Sequence, residues 1–169
     1  IASRSEVTKD AIPIYRPGNN DPHMTTADDA TWRICAANGD AGRSGSVDLL
    51  LIDELRQHHN YEAWSAALHT MNARRKGQLI ATSSEGTADS IVLDALRKEA
   101  TGGKNKRTGI LAWQAHEGAR PDDPAEITLA KPNVGHRIEL DDLLDEGIAA
   151  GDEGGDRLTE FLTEVLCVK

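Results

Sequence analysis

The chain has 169 residues, of which 38% are hydrophobic, and a formal net charge of −9 at pH 7. This length fits one hydrophobic core of the usual domain size, and the negative charge excludes a broad surface for DNA phosphates, because nonspecific DNA affinity comes from Lys and Arg displacing counterions. No apolar stretch approaches the roughly 20 residues that span a bilayer, and the N-terminus lacks the basic-then-apolar pattern of a signal peptide, so we expect a cytoplasmic protein without membrane contact.

The first 30 residues contain three prolines and one glycine, Pro13, Pro17, Pro22 and Gly18, that interrupt any long regular element. Short strand fragments and a loop are therefore predicted there. A strand is predicted over residues 32–37, followed by the loop Gly42-Arg43-Ser44-Gly45. This loop has no lysine suited to binding a phosphate, and the pattern Gly-x-x-x-x-Gly-Lys-Ser/Thr of phosphate-binding loops occurs nowhere in the chain.

The run of residues 47–54 contains four consecutive aliphatic residues and ends in two adjacent carboxylates, Asp53 and Glu54. The four consecutive aliphatic residues at 49–52 predict that residues 47–52 form a parallel strand covered on both faces by helices. The carboxyl ends of such strands form the ligand crevice of an open α/β sheet, so Asp53 is expected to hold Mg²⁺. Glu54 points to the other side and is expected to deprotonate the water that attacks a γ-phosphate. The alternative is a strand end that carries Asp-Glu by chance.

A second strand is predicted over residues 79–82, and its tip carries the hydroxyls of Thr82, Ser83 and Ser84. Hydroxyls at this position can bind a γ-phosphate and pass its loss to the following helix. The alternative is a Ser/Thr-rich turn that caps that helix, since Ser and Thr are preferred N-caps.

Helices are predicted over residues 61–74 and 87–100, and a further strand over residues 108–114. The apolar positions follow helical spacing and comprise Trp64, Leu68 and Met71 in the first helix, and Ile91, Leu93 and Leu96 in the second. Gly102-Gly103 is typical of a helix C-terminus. The alternation of strands and helices predicts an α/β fold with a parallel sheet and right-handed crossovers.

Basic residues cluster at 74–76 and 104–107, where either local DNA contact or an ordinary helix end and a solvated loop would account for them. After residue 116, Pro121 and Pro124 open a section of predicted short helices rich in Asp and Glu. These carboxylates lack the order of ligands in an EF-hand, so a solvated acidic face is predicted.

Several separated segments together resemble the large terminase subunit of tailed phages. They are Ala41-Gly42-Arg43, residues 48–56, Tyr61-Glu62-Ala63-Trp64 and residues 81–86. Residues 131–136 and 161–167 are similar to the stretch that follows the ATPase core in terminases of actinobacterial phages and prophages. That family couples ATP hydrolysis by a ring of subunits to the movement of double-stranded DNA into a capsid, and a separate nuclease domain cuts the DNA.

The resemblance implies roles for six residues. Asp53 and Glu54 match the Walker B pair, and Thr82, Ser83 and Ser84 match the coupling motif. Arg43 matches the arginine that reaches the transferring phosphoryl group in a neighbouring subunit. The family pattern there is Gly-Arg-Gly, whereas this chain has Gly42-Arg43-Ser44-Gly45, and the alternative is an exposed loop arginine.

The resemblance also implies an architecture. Residues 1–115 would form a partial ATPase domain with a P-loop NTPase-like (ASCE) parallel sheet flanked by helices, incomplete at the N-terminus and without Walker A. Residues 116–169 would form a small helical linker toward a missing nuclease domain. The implied ligands are ATP and Mg²⁺, and the implied partners are double-stranded DNA, other copies in a ring, the phage portal and the small terminase subunit. The alternative function is a noncatalytic terminase-like remnant or interaction domain; as a fragment, the chain is expected to hydrolyse ATP weakly or not at all.

Overall fold

A computed structural model describes residues 14–16, 22–26, 29–35 and 45–169, with residues 14–16 described by their backbone. The N-terminal part forms an antiparallel sheet in the order β1-β2-β3. Its strands are β1 (Ile14–Arg16), β2 (His23–Thr25) and β3 (Thr31–Arg33). The predicted strand fragments are present, but β3 pairs with β2 in this separate sheet and ends at Arg33, before the predicted residue 37.

The next part of the chain is a strand-helix-strand unit. Strand β4 (Leu49–Ile52) continues through a 3₁₀ turn (Leu55–Gln57) into α1 (Glu62–Met71), which leads to β5 (Gln78–Ala81). Strands β4 and β5 are parallel neighbours. The two predicted strands and their parallel arrangement are therefore confirmed, with boundaries shifted by one or two residues.

Only one face of this two-stranded sheet is covered within the described part of the chain. The core beneath it comprises Leu55, Trp64, Val92 and Leu93, with Ile52, Leu79, Ala81 and Leu96 packed against it. Leu49, Leu51 and Ile80 point to the opposite face and are 41%, 55% and 42% exposed. The prediction of a strand covered on both faces was wrong for these residues, because α1 and α2 (Ile91–Thr101) contribute to the same cluster on one face.

The predicted helical stripes are buried only in part. Trp64 and Leu93 are buried, whereas Leu68 and Ile91 are 41% and 42% exposed. A sheet of two strands is narrow, at about 5 Å between strand axes, so it covers only part of each helix face. The predicted helix end is confirmed, because α2 ends at Thr101 and Gly103 follows with φ of 64°, the left-handed conformation that glycine adopts readily.

The predicted strand over residues 108–114 does not form. The segment joins neither sheet, and Leu111 and Trp113 are 85% and 55% exposed. An apolar run becomes a strand only when a neighbour supplies backbone partners, and no described strand pairs with this one. The parallel sheet of the described residues therefore has two strands.

Three helices complete the chain: α3 (Pro124–Ala130), α4 (Leu140–Glu153) and α5 (Gly155–Glu164). Helix α3 begins where the Asp123 carboxylate accepts hydrogen bonds from the amides of Ala125 and Glu126, at 2.9 and 3.4 Å. Their shared core comprises Ala115, Ile127, Ala130, Ala150, Phe161, Val165, Leu166 and Val168. The acidic residues at 141, 142, 145, 146, 152, 153 and 156 are all exposed, as predicted.

Helix α4 lies close to the preceding loop at Gly147. A Cβ atom on Gly147 would lie 2.0 Å from the carbonyl oxygen of Pro121 and 3.0 Å from Cζ of Phe161. Position 147 therefore has space only for the hydrogen side chain of glycine.

Among the helices that the structure describes, none has the length and the apolar composition needed to span a membrane.

Candidate functional site

Asp53 and Thr82 meet at the carboxyl end of the parallel pair. The Thr82 hydroxyl donates to Oδ1 of Asp53 at 2.6 Å, and the Glu54 amide donates to the same oxygen at 3.0 Å. The Thr82 amide donates to the carbonyl of Ile52 at 2.9 Å, so strand pairing continues to the base of this contact. Two side chains that the sequence placed at the tips of separate strands are therefore in direct contact.

This contact favours the ionised form of Asp53. The hydrogen bond from Thr82 is the main cause that lowers the pKa of the Asp53 carboxyl, and the Glu54 amide lowers it further. Asp53 is exposed, so the two hydrogen bonds act without a large opposing cost of burial. A carboxylate with a low pKa carries full negative charge at neutral pH, as a cation ligand requires.

We expect Thr82→Val to raise the pKa of Asp53 toward its ordinary value, because the hydrogen bond that lowers it most is removed. Thr82→Ser should leave the pKa of Asp53 low, because the hydroxyl is kept. The contact stabilises the folded state at pH values above the ordinary carboxyl pKa, and that contribution is lost as the pH falls through the lowered value. Titration of the Asp53 carboxyl carbon by NMR measures both variants. An unchanged pKa in Thr82→Val would show that the hydroxyl does not hold this carboxylate.

Glu54 turns the chain out of the strand. Its backbone has φ of 51° and ψ of 52°, a left-handed conformation that is uncommon for a residue other than glycine. This turn directs the chain into the 3₁₀ segment, and the Glu54 side chain is 49% exposed. Its Oε2 accepts a hydrogen bond from Nε of Arg56 at 2.9 Å. The candidate base is thus oriented by an arginine two residues later.

Ser83 and Ser84, which follow Thr82, have different surroundings. The Ser83 hydroxyl oxygen accepts from the Arg56 amide at 3.0 Å, whereas Ser84 is half-buried and makes no side-chain hydrogen bond within the described residues. The helix after them begins at Ile91, with Ser90 as the residue that precedes it. The alternative that residues 82–84 cap this helix was therefore wrong.

Arg43 lies outside the described residues, so its role stays a prediction.

Several charged residues near the site were missed by the sequence analysis. Arg56 forms a close ion pair with Glu164 at the end of α5, in addition to its contact with Glu54. Glu85, three residues after Thr82, is 2% exposed and pairs with Arg97 at 2.6 Å. A buried carboxylate requires such a partner because desolvation of an unpaired charge is costly. Glu85 follows Ser84 directly, but nothing in the sequence marks it as buried.

The residues at this site fit a magnesium ion. Asp53 and Thr82 offer a carboxylate and a hydroxyl oxygen at the exposed end of the strands, and Mg²⁺ binds oxygen ligands. Within the described ranges no group of three or more His, Cys, Asp or Glu could hold a metal. One or two protein ligands are sufficient for Mg²⁺ that also binds water and substrate phosphates.

The comparison with solved structures gives the fold. The chain superposes on the crystal structure of the HK97 bacteriophage large terminase with a TM-score of 0.81 over 94% of its length, at 18% sequence identity. The chain has the fold of part of a large terminase. At this identity the similarity establishes the fold alone, and the match spans 33% of the HK97 terminase chain.

No protein-family model matches the chain, and no curated protein matches it in sequence. The terminase-like fold therefore rests on three-dimensional similarity. Asp53, Glu54 and Thr82 lie at the carboxyl end of the parallel strands β4 and β5 of this chain.

Proposed function

We propose that this chain is part of the ATP-hydrolysing motor of a phage terminase large subunit, built on a P-loop NTPase-like (ASCE) sheet. The observation that carries the proposal is the contact of Asp53 with Thr82 beside Glu54, at the carboxyl end of two parallel strands. Acidic and hydroxyl groups at this edge are suited to a metal-bound phosphate. The terminase-like fold is the second support.

Each residue has a role in the proposed reaction. Asp53 would hold Mg²⁺, which when bound would neutralise charge on the phosphates of ATP. Glu54 orients the attacking water and accepts its proton. Thr82, Ser83 and Ser84 would bind the γ-phosphate or its attacking water and transmit the loss of that phosphate to α2. Arg43 acts on the site of a neighbouring copy as the arginine finger.

The proposal extends to the whole protein. Its partners are double-stranded DNA, other copies in a ring, the portal and the small terminase subunit, and it works in the bacterial cytoplasm. A nuclease domain in the complete protein cuts the DNA. The segments at 131–136 and 161–167 favour the terminases of actinobacterial phages and prophages.

A second candidate is a terminase-like protein without nucleotide turnover. It is favoured by one observation, the absence from the sequence of any Gly-x-x-x-x-Gly-Lys-Ser/Thr segment to position the phosphates. Both candidates share the fold and differ in nucleotide binding.

Nucleotide binding tests the proposal. We expect the protein expressed from its complete reading frame to bind ATP more tightly with Mg²⁺ than without it. In Asp53→Asn, the ratio of the ATP affinities with and without Mg²⁺ should be about tenfold smaller, equal to about 1.4 kcal/mol. Isothermal titration calorimetry measures each affinity with and without Mg²⁺. Asp152→Asn, which neutralises an exposed carboxylate on α4, is the control. Equal magnesium dependence in Asp53→Asn and the parent would contradict the role of Asp53.

A further inference from the structure

Arg56 lies between two carboxylates from distant parts of the chain. Its Nε donates to Oε2 of Glu54 at 2.9 Å, and its Nη1 pairs closely with Oε1 of Glu164. Glu164 is the last residue of α5, 108 positions further along the chain. One guanidinium thus links the candidate base to the C-terminal helices.

The backbone of Arg56 is fixed independently of its side chain. Its amide donates to the Ser83 hydroxyl oxygen at 3.0 Å, and its carbonyl accepts from the hydroxyl of Ser90 at 2.8 Å. Ser90 is 1% exposed, and the preceding residue, Leu55, is 3% exposed and part of the core. Because the main chain is anchored on both sides, the guanidinium can change position only by rotation of its own side chain.

The carboxylate of Glu164 interacts more strongly with the Arg56 guanidinium than the carboxylate of Glu54 does. The hydrogen bond to Glu164 is the largest cause that raises the pKa of Arg56, and the contributions of Glu54 are smaller. The Arg56 side chain is 20% exposed, compared with 49% for Glu54 and 40% for Glu164. Glu164 therefore fixes the guanidinium, and the guanidinium in turn orients the more exposed Glu54 carboxylate.

We propose that Arg56 is a positioning residue for Glu54 and that Glu164 controls it, so that ATP hydrolysis depends on the placement of α5. This inference rests on the proposed function of Glu54. A glutamate on a turn has three rotatable side-chain bonds, and a catalytic base must be held close to one productive geometry. An arginine fork can bind two carboxylates at once, whereas an ammonium group cannot present two fixed parallel donors.

Steady-state kinetics on the protein expressed from its complete reading frame test this inference. We expect Arg56→Ala to lower kcat for ATP about 10- to 100-fold while KM for ATP changes less than about twofold, because orientation of the base is lost and nucleotide binding is kept. Arg56→Lys should recover part of kcat. Glu164→Gln should lower kcat about 3- to 10-fold, since the contact to Glu54 remains but its anchor is weakened.

A double mutant separates positioning from two independent effects. If Glu164 acts only through Arg56, the variant with both Arg56→Ala and Glu164→Gln should have the kcat of Arg56→Ala alone. Glu160→Gln, an exposed carboxylate one turn earlier on α5, is the matched control and should keep the parent kcat. Multiplicative losses in the double mutant would overturn the link from Glu164 to Glu54.

The outcomes distinguish this inference from the proposed function. Parent protein that hydrolyses ATP, with unchanged kcat in Arg56→Ala, would overturn the positioning role and leave the proposed function standing. Parent protein that does not bind or hydrolyse ATP would overturn both. Should Arg56→Ala fail to fold, Glu164→Gln decides alone, because Glu164 is partly exposed: an unchanged kcat in that variant contradicts the inference.

Discussion

The Glu54→Gln variant is expected to bind ATP with the affinity of the parent protein and to hydrolyse it about 10²- to 10⁴-fold more slowly, the usual contribution of a positioned general base. Glutamine keeps the size of the side chain and can still accept from Nε of Arg56, so the local structure should be kept. It cannot accept a proton from the attacking water. The expected loss is therefore confined to kcat.

The measurement is single-turnover hydrolysis at saturating ATP, together with an equilibrium binding assay. Glu117→Gln makes the same chemical change at an exposed residue in a turn remote in sequence, and it should hydrolyse ATP at the parent rate. Equal turnover in Glu54→Gln and the parent would contradict the assignment of Glu54 as the base. Loss of binding instead of turnover would assign it to nucleotide binding.

In the Gly147→Ala variant the free energy of unfolding is expected to fall by about 2 kcal/mol or more, although alanine is favoured over glycine in helices by about 1 kcal/mol. The reason is the 2.0 Å approach of its Cβ to the Pro121 carbonyl oxygen, a backbone atom that cannot move aside as a flexible side chain can. The same Cβ would lie 3.0 Å from Cζ of Phe161, which is 2% exposed. Helix α4 would have to move away from both neighbours.

Gly151→Ala provides a matched control in the same helix. Its Cβ would lie 3.2 Å from Cγ of Pro121, a ring carbon that can adjust by a change of pucker. The free energy of unfolding of this variant should equal that of the parent or exceed it by up to about 1 kcal/mol. Urea unfolding followed by circular dichroism measures both variants. Similar midpoints for Gly147→Ala and the parent would show that α4 does not pack against the Pro121 backbone.

The sequence predicted the strand tips because their signals are local. Four aliphatic residues followed by Asp53 and Glu54, and a second apolar run followed by Thr82, are enough to place two strands and their carboxyl ends. The pairing of Asp53 with Thr82 then follows from parallel register. The glycine pair after α2 was predicted for the same reason, since a helix end is specified by its adjacent residues.

The missed features depend on distant parts of the chain. Arg56 and Glu164 are 108 residues apart, so no spacing rule connects them. The burial of Glu85 depends on Arg97 and on the C-terminal Lys169, whose Nζ lies 4.0 Å from its carboxylate. The apolar run at 108–114 has a strand-like composition but pairs with no described strand, which composition does not reveal. Local pattern predicts elements, and tertiary contacts decide their partners.

ATP hydrolysis by the protein expressed from its complete reading frame, measured with Mg²⁺ in the presence and absence of double-stranded DNA, is the most direct test of the motor proposal. We predict magnesium-dependent hydrolysis that rises several-fold with DNA and is abolished in Glu54→Gln. A folded protein that neither binds nor hydrolyses ATP under either condition would contradict the proposal and leave a terminase-like fold without nucleotide turnover.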